Sequence, residues 1–340
     1  MQLCFRSAFV IGFAASASPA LAQSAVENFY KGRTVEIIIG TTPGGSYDLY
    51  GRLIARNLGR HIPGNPTVIV KNMPGAGHLR MTNWLYSVAP RDGSVLGTAS
   101  QSLAFEQALG SDGIQYDAAK FNWIGRAAQS IEVTFTWHTS QTKTIEDARG
   151  RETVMGATGP TSPTVVYLKA LNALAGARFK IIMGYPGGPE TELAMQRGEV
   201  EGGSKSWFAM KVENAEWLRD KKVNLLVQYA PERSPDLPDV PLLADFGRDP
   251  NARAALKLFT MGNALGRSFM APPGVPAERV AALRKAFLDT LRDPELVAFA
   301  AARQIDFGMA AGGVAVRNLV AETLSGPPET IAMVKMARGN

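Results

Sequence analysis

Along the chain, short apolar runs alternate with stretches of helical period. Val35–Ile39, Thr67–Val70 and Ser94–Thr98 read as strands, and Asp48–Leu58 and His78–Tyr86 as helices, with Gly, Pro or Asn at the joins. A second series follows, with strands at Glu132–Trp137, Thr153–Ala157, Lys180–Met183, Gly202–Ser206 and Asn224–Tyr229 and helices at Ser162–Leu174 and Glu190–Arg197. This alternation predicts an α/β fold of two units, each a doubly wound, mostly parallel sheet. The first unit is expected to end near "FNWIGRAAQS". The chain returns near "GNALGRSFMAPPGVP", where Ala271–Val275 interrupts regular structure before a helix from Pro276 to Arg292. "PERSPDLPDVP", Pro231 to Pro241, holds four prolines and is expected as a surface loop. "RDPELVAFAAARQ" and Val314–Ala337 read as closing helices.

The chemistry concentrates at the joins. After Ile39 comes "GTTPGGSYD", where Gly44, Gly45 and Ser46 bare the backbone just before a helix whose first N–H groups lack partners. Such a turn suits an anion. "GYPGGPETELAMQRG", after Lys180–Met183, repeats the plan, and "NMPGAGHLR" supplies a third glycine turn. Neither a complete G-x-G-x-x-G nor a Walker lysine is present, so a nucleotide is not the expected guest. In open α/β sheets these turns lie at the carboxyl ends of strands, and two facing units would line a cleft with them.

Around the turns stand candidate side chains, each with two readings. Asp48 contacts a ligand or simply balances the helix dipole. Thr158, Thr161, Ser162 and Thr164, in "GATGPTSPTVV", cap a helix, bind a ligand or do both, with Pro163 at the first helical position. Ser100, Gln101 and Ser102 follow a strand and offer neutral donors and acceptors, or form an ordinary loop. Lys205 pairs with a distal carboxylate or is solvated.

Composition narrows the functional classes. With 340 residues, 46% hydrophobic and 19% charged, the chain is globular and long enough for two domains. The net charge of +6 is spread along it without aromatic-interleaved basic runs, which argues against nucleic acid. Residues 1–22 read as an export signal cleaved after Ala22, with Arg6, an apolar run and Ala20-Leu21-Ala22. The only cysteine, Cys4, lies inside it, so the exported chain has no disulfide and no thiol nucleophile, as suits a bacterial periplasm. His61, His78 and His138 show no metal spacing, and no G-x-S-x-G elbow is present. No enzyme, cofactor or metal is expected.

"FYKGRTVEIIIGTTPGGSYDLYGRLIARNL", "PTVIVKNMPGAG", "APRDGSVLGTAS" and "PERSPDLPDVPLLADFG" together resemble the Bug family of periplasmic solute receptors, the substrate-binding subunits of tripartite tricarboxylate transporters. The resemblance implies a two-domain Venus flytrap of type II-like topology, with a carboxylate held in the cleft largely by backbone amides and water. It places Thr42, Pro43, Gly44, Gly45, Ser46 and Asp48 in the first ligand loop. Gly159, Thr161, Ser162 and Thr164 form the second, and Ser100 to Ser102 a further ligand-facing turn. Thr41-Thr42 and Gly202–Lys205 depart from the family's usual residues. The expected layout is domain 1 over 27–125 and 266–310, domain 2 over 126–265, a helix over 311–340 packing across both, and a hinge near Gly125 and Gly266. The expected partners are a small organic di- or tricarboxylate or aromatic acid and the permease subunits of such a transporter, with a monomeric receptor. Two alternatives are a ligand-presenting partner of a sensor kinase and a secreted enzyme acting on the same anions.

Overall fold

The structure, a computed structural model, describes residues 19–340 except 231, 248, 304, 306, 308, 326–330, 333, 334 and 336–340. The export signal read over residues 1–22 and Cys4 therefore lie wholly or mainly outside the described residues. Helix α1 (Pro19–Tyr30) leads into β1 (Thr34–Ile39), α2 (Ser46–His61), β2 (Thr67–Asn72), α3 (Leu79–Ser87) and β3 (Val95–Thr98). After α4 (Leu103–Leu109) and β4 (Asn122–Arg126) the chain crosses to β5 (Glu132–Trp137), α5 (Ile145–Gly150) and β6 (Thr153–Gly156). Next come α6 (Pro163–Ala170), β7 (Phe179–Ile182), α7 (Gly188–Gln196), β8 (Gly202–Ser206), α8 (Trp207–Glu213), α9 (Ala215–Arg219) and β9 (Val223–Tyr229). It returns through α10 (Pro250–Leu265) to β10 (Ser268–Ala271), α11 (Ala277–Leu291), α12 (Pro294–Ala301), β11 (Ala311–Gly312) and α13 (Gly313–Leu324).

Two sheets result, ordered β11-β4-β10-β3-β1-β2 and β7-β6-β8-β5-β9. β1 is parallel to β2 and β3, and β6 is parallel to β7 and β8. Each sheet also holds a strand of opposite direction next to the crossing: β10 opposes β3 and β4, and β5 opposes β8 and β9. The sheets are thus mixed, because each crossing chain enters its new sheet at the cleft and runs away from the other sheet, whereas parallel neighbours such as β8 end at the cleft.

Local sequence explains the core. Val35, Ile37, Ile38 and Ile39 are all buried, as a central strand covered on both faces requires, whereas β2 at the sheet edge is more exposed at alternate positions. In α2 the buried Tyr50, Leu53, Ile54, Asn57 and Leu58 fall on one face at helical spacing. Among its described residues, the proline-rich segment before Pro241 forms neither helix nor strand, as expected, yet its Leu237 and Val240 are buried against the second sheet's core. The buried Gln228 side chain fastens it by donating to the carbonyls of Leu237 and Val240.

The structure corrects several boundaries. "FNWIGRAAQS" contains strand β4 rather than only a domain border, and Ser268–Ala271 is a strand where an interruption was expected from Ala271. The last helix is described to Leu324, and most of its expected continuation to Ala337 lies outside the described residues. Among the described residues no helix is long and apolar enough to cross a membrane.

Candidate ligand-binding cleft

Two chain segments connect the sheets, and they are hydrogen-bonded to each other. Ala127 N–H donates to Arg267 O at 2.9 Å, Arg267 N–H to Ala128 O at 2.9 Å, and Ser130 N–H to Asn263 O at 3.1 Å. Gly266 takes φ +50° here, and a Cβ on it would stand 2.1 Å from Ala128 O. Only glycine fits that approach.

Beside this connection lies a cluster of buried polar side chains. The Arg267 guanidinium is 3% exposed, donates to Glu132 Oε1 at 2.8 Å and to Gln101 Oε1 at 2.9 Å, and lies 4.3 Å from the centre of the Tyr47 ring. Gln101 Nε2 donates to Tyr167 Oη at 2.8 Å and Asn263 Oδ1 at 3.2 Å, and its backbone N–H donates to Tyr47 Oη at 3.1 Å. The cluster joins residues of both sheets. A buried ion pair of this kind is tolerated only when additional hydrogen bonds support it.

Directly above it, a cavity of about 100 Å³ separates the two sheets. Three helix N-termini open onto it: α2 through Gly44, Gly45 and Ser46, α6 through Ser162, Pro163 and Thr164, and α7 through Gly188. None of the three has a side-chain cap hydrogen bond. Among the described residues the free amides are those at the start of α2, the Thr164 N–H of α6, whose Pro163 has no N–H and whose Val165 N–H bonds Ser162 O at 3.1 Å, and the Gly188 N–H of α7. Each helix end carries roughly half a positive charge. The cavity is also lined by Tyr47, His78, Glu132, Thr158, Thr191, Glu192, Lys205 and Arg267.

The lips of the cleft touch. Thr42 Oγ1 donates to Glu190 Oε2 at 3.0 Å, so the first Pro-Gly-Gly turn meets the second. Thr161 Oγ1 donates to Ala76 O at 3.1 Å, and Ser102 Oγ to Thr161 O at 2.6 Å. A Cβ on Gly159 would stand 2.1 Å from the main chain of Ala76 and Gly77. This is the closed arrangement of the two sheets.

Of the residues singled out in the sequence, Gly44, Gly45, Ser46, Thr158, Ser162, Thr164 and Lys205 line the cavity. The others have partners elsewhere. Asp48 is buried and accepts from Gly44 N–H at 3.0 Å, Arg52 Nε at 2.8 Å and Asn72 Nδ2 at 2.9 Å. Burial opposes its charge, but hydrogen bonds from Arg52, Asn72 and Gly44 outweigh that and hold the carboxyl below its ordinary range. The cradle expected over Gly44–Ser46 therefore gives its first amide to Asp48, and the amides that follow at the start of α2 remain for a guest. Gln101 belongs to the connecting cluster, and Ser100 and Ser102 line a separate crevice of about 10 Å³. Thr42 and Thr161 bridge the lips, while Gly159 lines an adjoining cavity of about 450 Å³ that shares Thr41 and Thr158 with the first. Lys205 is nearly buried and is held by Glu192 at 2.5 Å and Glu213 at 2.8 Å. Trp207, which follows β8, is buried in the core with Nε1 donating to Asp236.

The sequence reading missed Glu132, Arg267, His78 and Tyr47 as cavity residues. His78 is fully buried with φ +77°, its ring 4.3 Å from that of Tyr47. Burial, aided by the nearby Arg267 charge, drives its pKa from 6.5 down to about 3, so the folded protein keeps it neutral. The unfolded chain binds a proton below pH 6.5 that the native state refuses until about pH 3. This contribution to stability is therefore complete above about pH 6.5 and falls as pH drops, by about 1.4 kcal/mol per unit. Between about pH 7.5 and pH 5 the expected loss in urea denaturation is about 2 kcal/mol. His78→Asn, which tolerates the left-handed backbone, is expected to flatten that limb; an unchanged slope would contradict the assignment.

A family model described as "Tripartite tricarboxylate transporter family receptor" matches residues 51–326. A curated relative, the UPF0065 protein in the gbd 5′ region of Cupriavidus necator, is 28% identical over 241 residues, covering 68% of this chain and 69% of its own. Among solved structures, the periplasmic binding protein BugD aligns with a TM-score of 0.72 at 18% identity, covering 91% of this chain and 98% of that one. MatC (Rpa3494) from Rhodopseudomonas palustris with bound malate gives 0.70 at 21% identity over 89% and 99%, respectively. Rpa4515 from R. palustris with adipate gives 0.68 at 18% identity over 89% and 97%. These likenesses establish the two-domain fold of periplasmic binding proteins.

Proposed function

Since the chain belongs to the tripartite tricarboxylate transporter family of receptors, we propose that it captures a small organic carboxylate in the cavity between its two sheets and delivers it to a membrane permease of that transporter type. The observation that carries this reading is the convergence of three uncapped helix N-termini, from both sheets, on one closed cavity. A carboxylate completes the valences of those N–H groups, and each charge-assisted bond contributes roughly 1.5–3 kcal/mol. Because the helices belong to different sheets, the anion makes its full set of contacts only when the lips meet, and this difference stabilises the closed form. Relatives in fold hold malate and adipate, in keeping with a carboxylate guest.

The remaining assignments follow from this reading. The lobes comprise residues 27–125 with 266–310 and residues 126–265, and α13 packs across β4, α4 and α10. The hinge is the hydrogen-bonded pair of connecting segments, Ala127–Ser130 and Asn263–Arg267. The receptor acts in the periplasm without turnover of its ligand.

A thermal-shift screen with di- and tricarboxylates, aromatic acids and amino acids tests the proposal. A ligand at about 100 times its Kd is expected to add roughly 2.7 kcal/mol, a visible rise in Tm. Matching amides or esters should give none. Absence of a shift with every acid, using protein freed of carried-over ligand, would overturn the carboxylate reading.

A further inference from the structure

The charged groups around the cavity are already matched, and this limits what can enter. Arg267 is paired with Glu132, and Lys205 with Glu192, while Glu213 adds a second carboxylate 2.8 Å from the same lysine. Each cation's charge is thus balanced within the protein, and of their nitrogens Arg267 Nε is buried without a hydrogen-bond partner among the described residues. The two oxygens of Glu132 are used unequally: Oε1 accepts from Ser130 Oγ at 2.5 Å and Arg267 Nη2 at 2.8 Å, and Oε2 has no hydrogen bond among the described residues. Glu132 is only 5% exposed, and the surface it shows lines this cavity. Oε2 is not among the fully buried atoms without a partner, so it is an accessible acceptor on the cavity wall that a guest carrying a donor can bind in place of water.

We propose that Glu132 receives an ammonium group of the ligand, so that the cavity selects an amino acid over the acid of the same skeleton that lacks the amino group. The inference rests on the carboxylate reading above and narrows it. One ligand carboxylate occupies the helix N-termini, where the field is positive. The rest of the ligand then reaches Glu132, where an ammonium meets its complement. A hydroxyl in that position donates one hydrogen bond to Oε2 without the charge. A group that is neither donor nor cation leaves the oxygen as it is.

Isothermal titration of the full chain at about pH 7.5 with matched pairs decides the matter: aspartate against succinate, and glutamate against glutarate, with malate as the hydroxyl intermediate. For at least one pair the amino member is expected to bind roughly tenfold or more tightly than its partner, with malate weaker than aspartate. Glu132→Gln, which retains an acceptor for Ser130 and Arg267, is expected to reduce the amino-to-deamino ratio to near one. The comparison on the unaltered protein stands even if that variant folds poorly. Diacids binding as tightly as their amino counterparts, or malate matching aspartate, would overturn the ammonium assignment and leave the carboxylate reading intact. Binding of no member of the set, together with a shift from another acid in the thermal screen, would likewise overturn only this inference. Silence in both experiments would overturn both.

Discussion

Replacing Arg267 by methionine is expected to destabilise the protein by about 3–5 kcal/mol, because it strands the Glu132 carboxylate in a buried site. The same change removes the donor to Gln101 Oε1 and the cation over the Tyr47 ring. Gln101 in turn holds Tyr167 and Asn263, so the loss spreads to both sheets. The double variant Arg267→Met with Glu132→Gln removes the stranded charge and is expected to recover a substantial part of the deficit. Urea denaturation of the three proteins measures both effects. A single variant within about 1 kcal/mol of the parent would show that the pair is solvated and that the connecting cluster does not hold the sheets together.

Gly159→Ala is expected to leave each sheet folded and to weaken ligand binding by about 100-fold, the equivalent of losing roughly 3 kcal/mol of contacts from the second lip. The added methyl would sit 2.1 Å from the main chain at Ala76 and Gly77, where no side chain can rotate away. Closure must then stop short. The uncapped ends of α6 and α7 no longer reach a carboxylate seated on α2. Gly150→Ala is a suitable control, because nothing lies within 4 Å of the position its Cβ would take. Affinity by calorimetry and radius of gyration by solution scattering, each with and without ligand, report the two parts of the claim. Unchanged affinity in Gly159→Ala would mean that binding does not require the lips to meet at this point.

What could be read in the sequence was what local pattern determines. The run Val35–Ile39 is apolar at nearly every position because β1 is covered on both faces, and α2 carries its apolar residues at helical spacing because one side faces the sheet. The turns at Gly44–Ser46 and Ser162–Thr164 were legible for the same reason: strand, glycine or hydroxyl, and helix start follow one another within a few residues. β4 and β10 were not recognised as strands. "NWIGR" and "SFMA" are short, and their extended form is fixed by pairing with each other across a long separation in the chain.

The cavity followed the same division. Its amide-bearing half was legible, whereas Tyr47, His78, Glu132 and Arg267 are far apart in sequence and meet only where the connecting segments return. Glu132 stood in plain sight as the first residue of a strand, but nothing local distinguishes a strand-end acid in water from one against a buried arginine. Gln101 shows the converse. Its neutral amide suited a ligand or a loop equally well, and only the approach of Tyr167, Asn263 and Arg267 makes it part of the connection between the sheets.

The most direct test of the account is a crystal structure of the protein with the acid selected by the thermal screen. The account predicts closed lobes with one ligand carboxylate within hydrogen-bond distance of N–H groups at the starts of α2 and of α6 or α7. A ligand bound outside this cavity, or one whose carboxylate is held by side-chain cations while those helix ends face water, would contradict it.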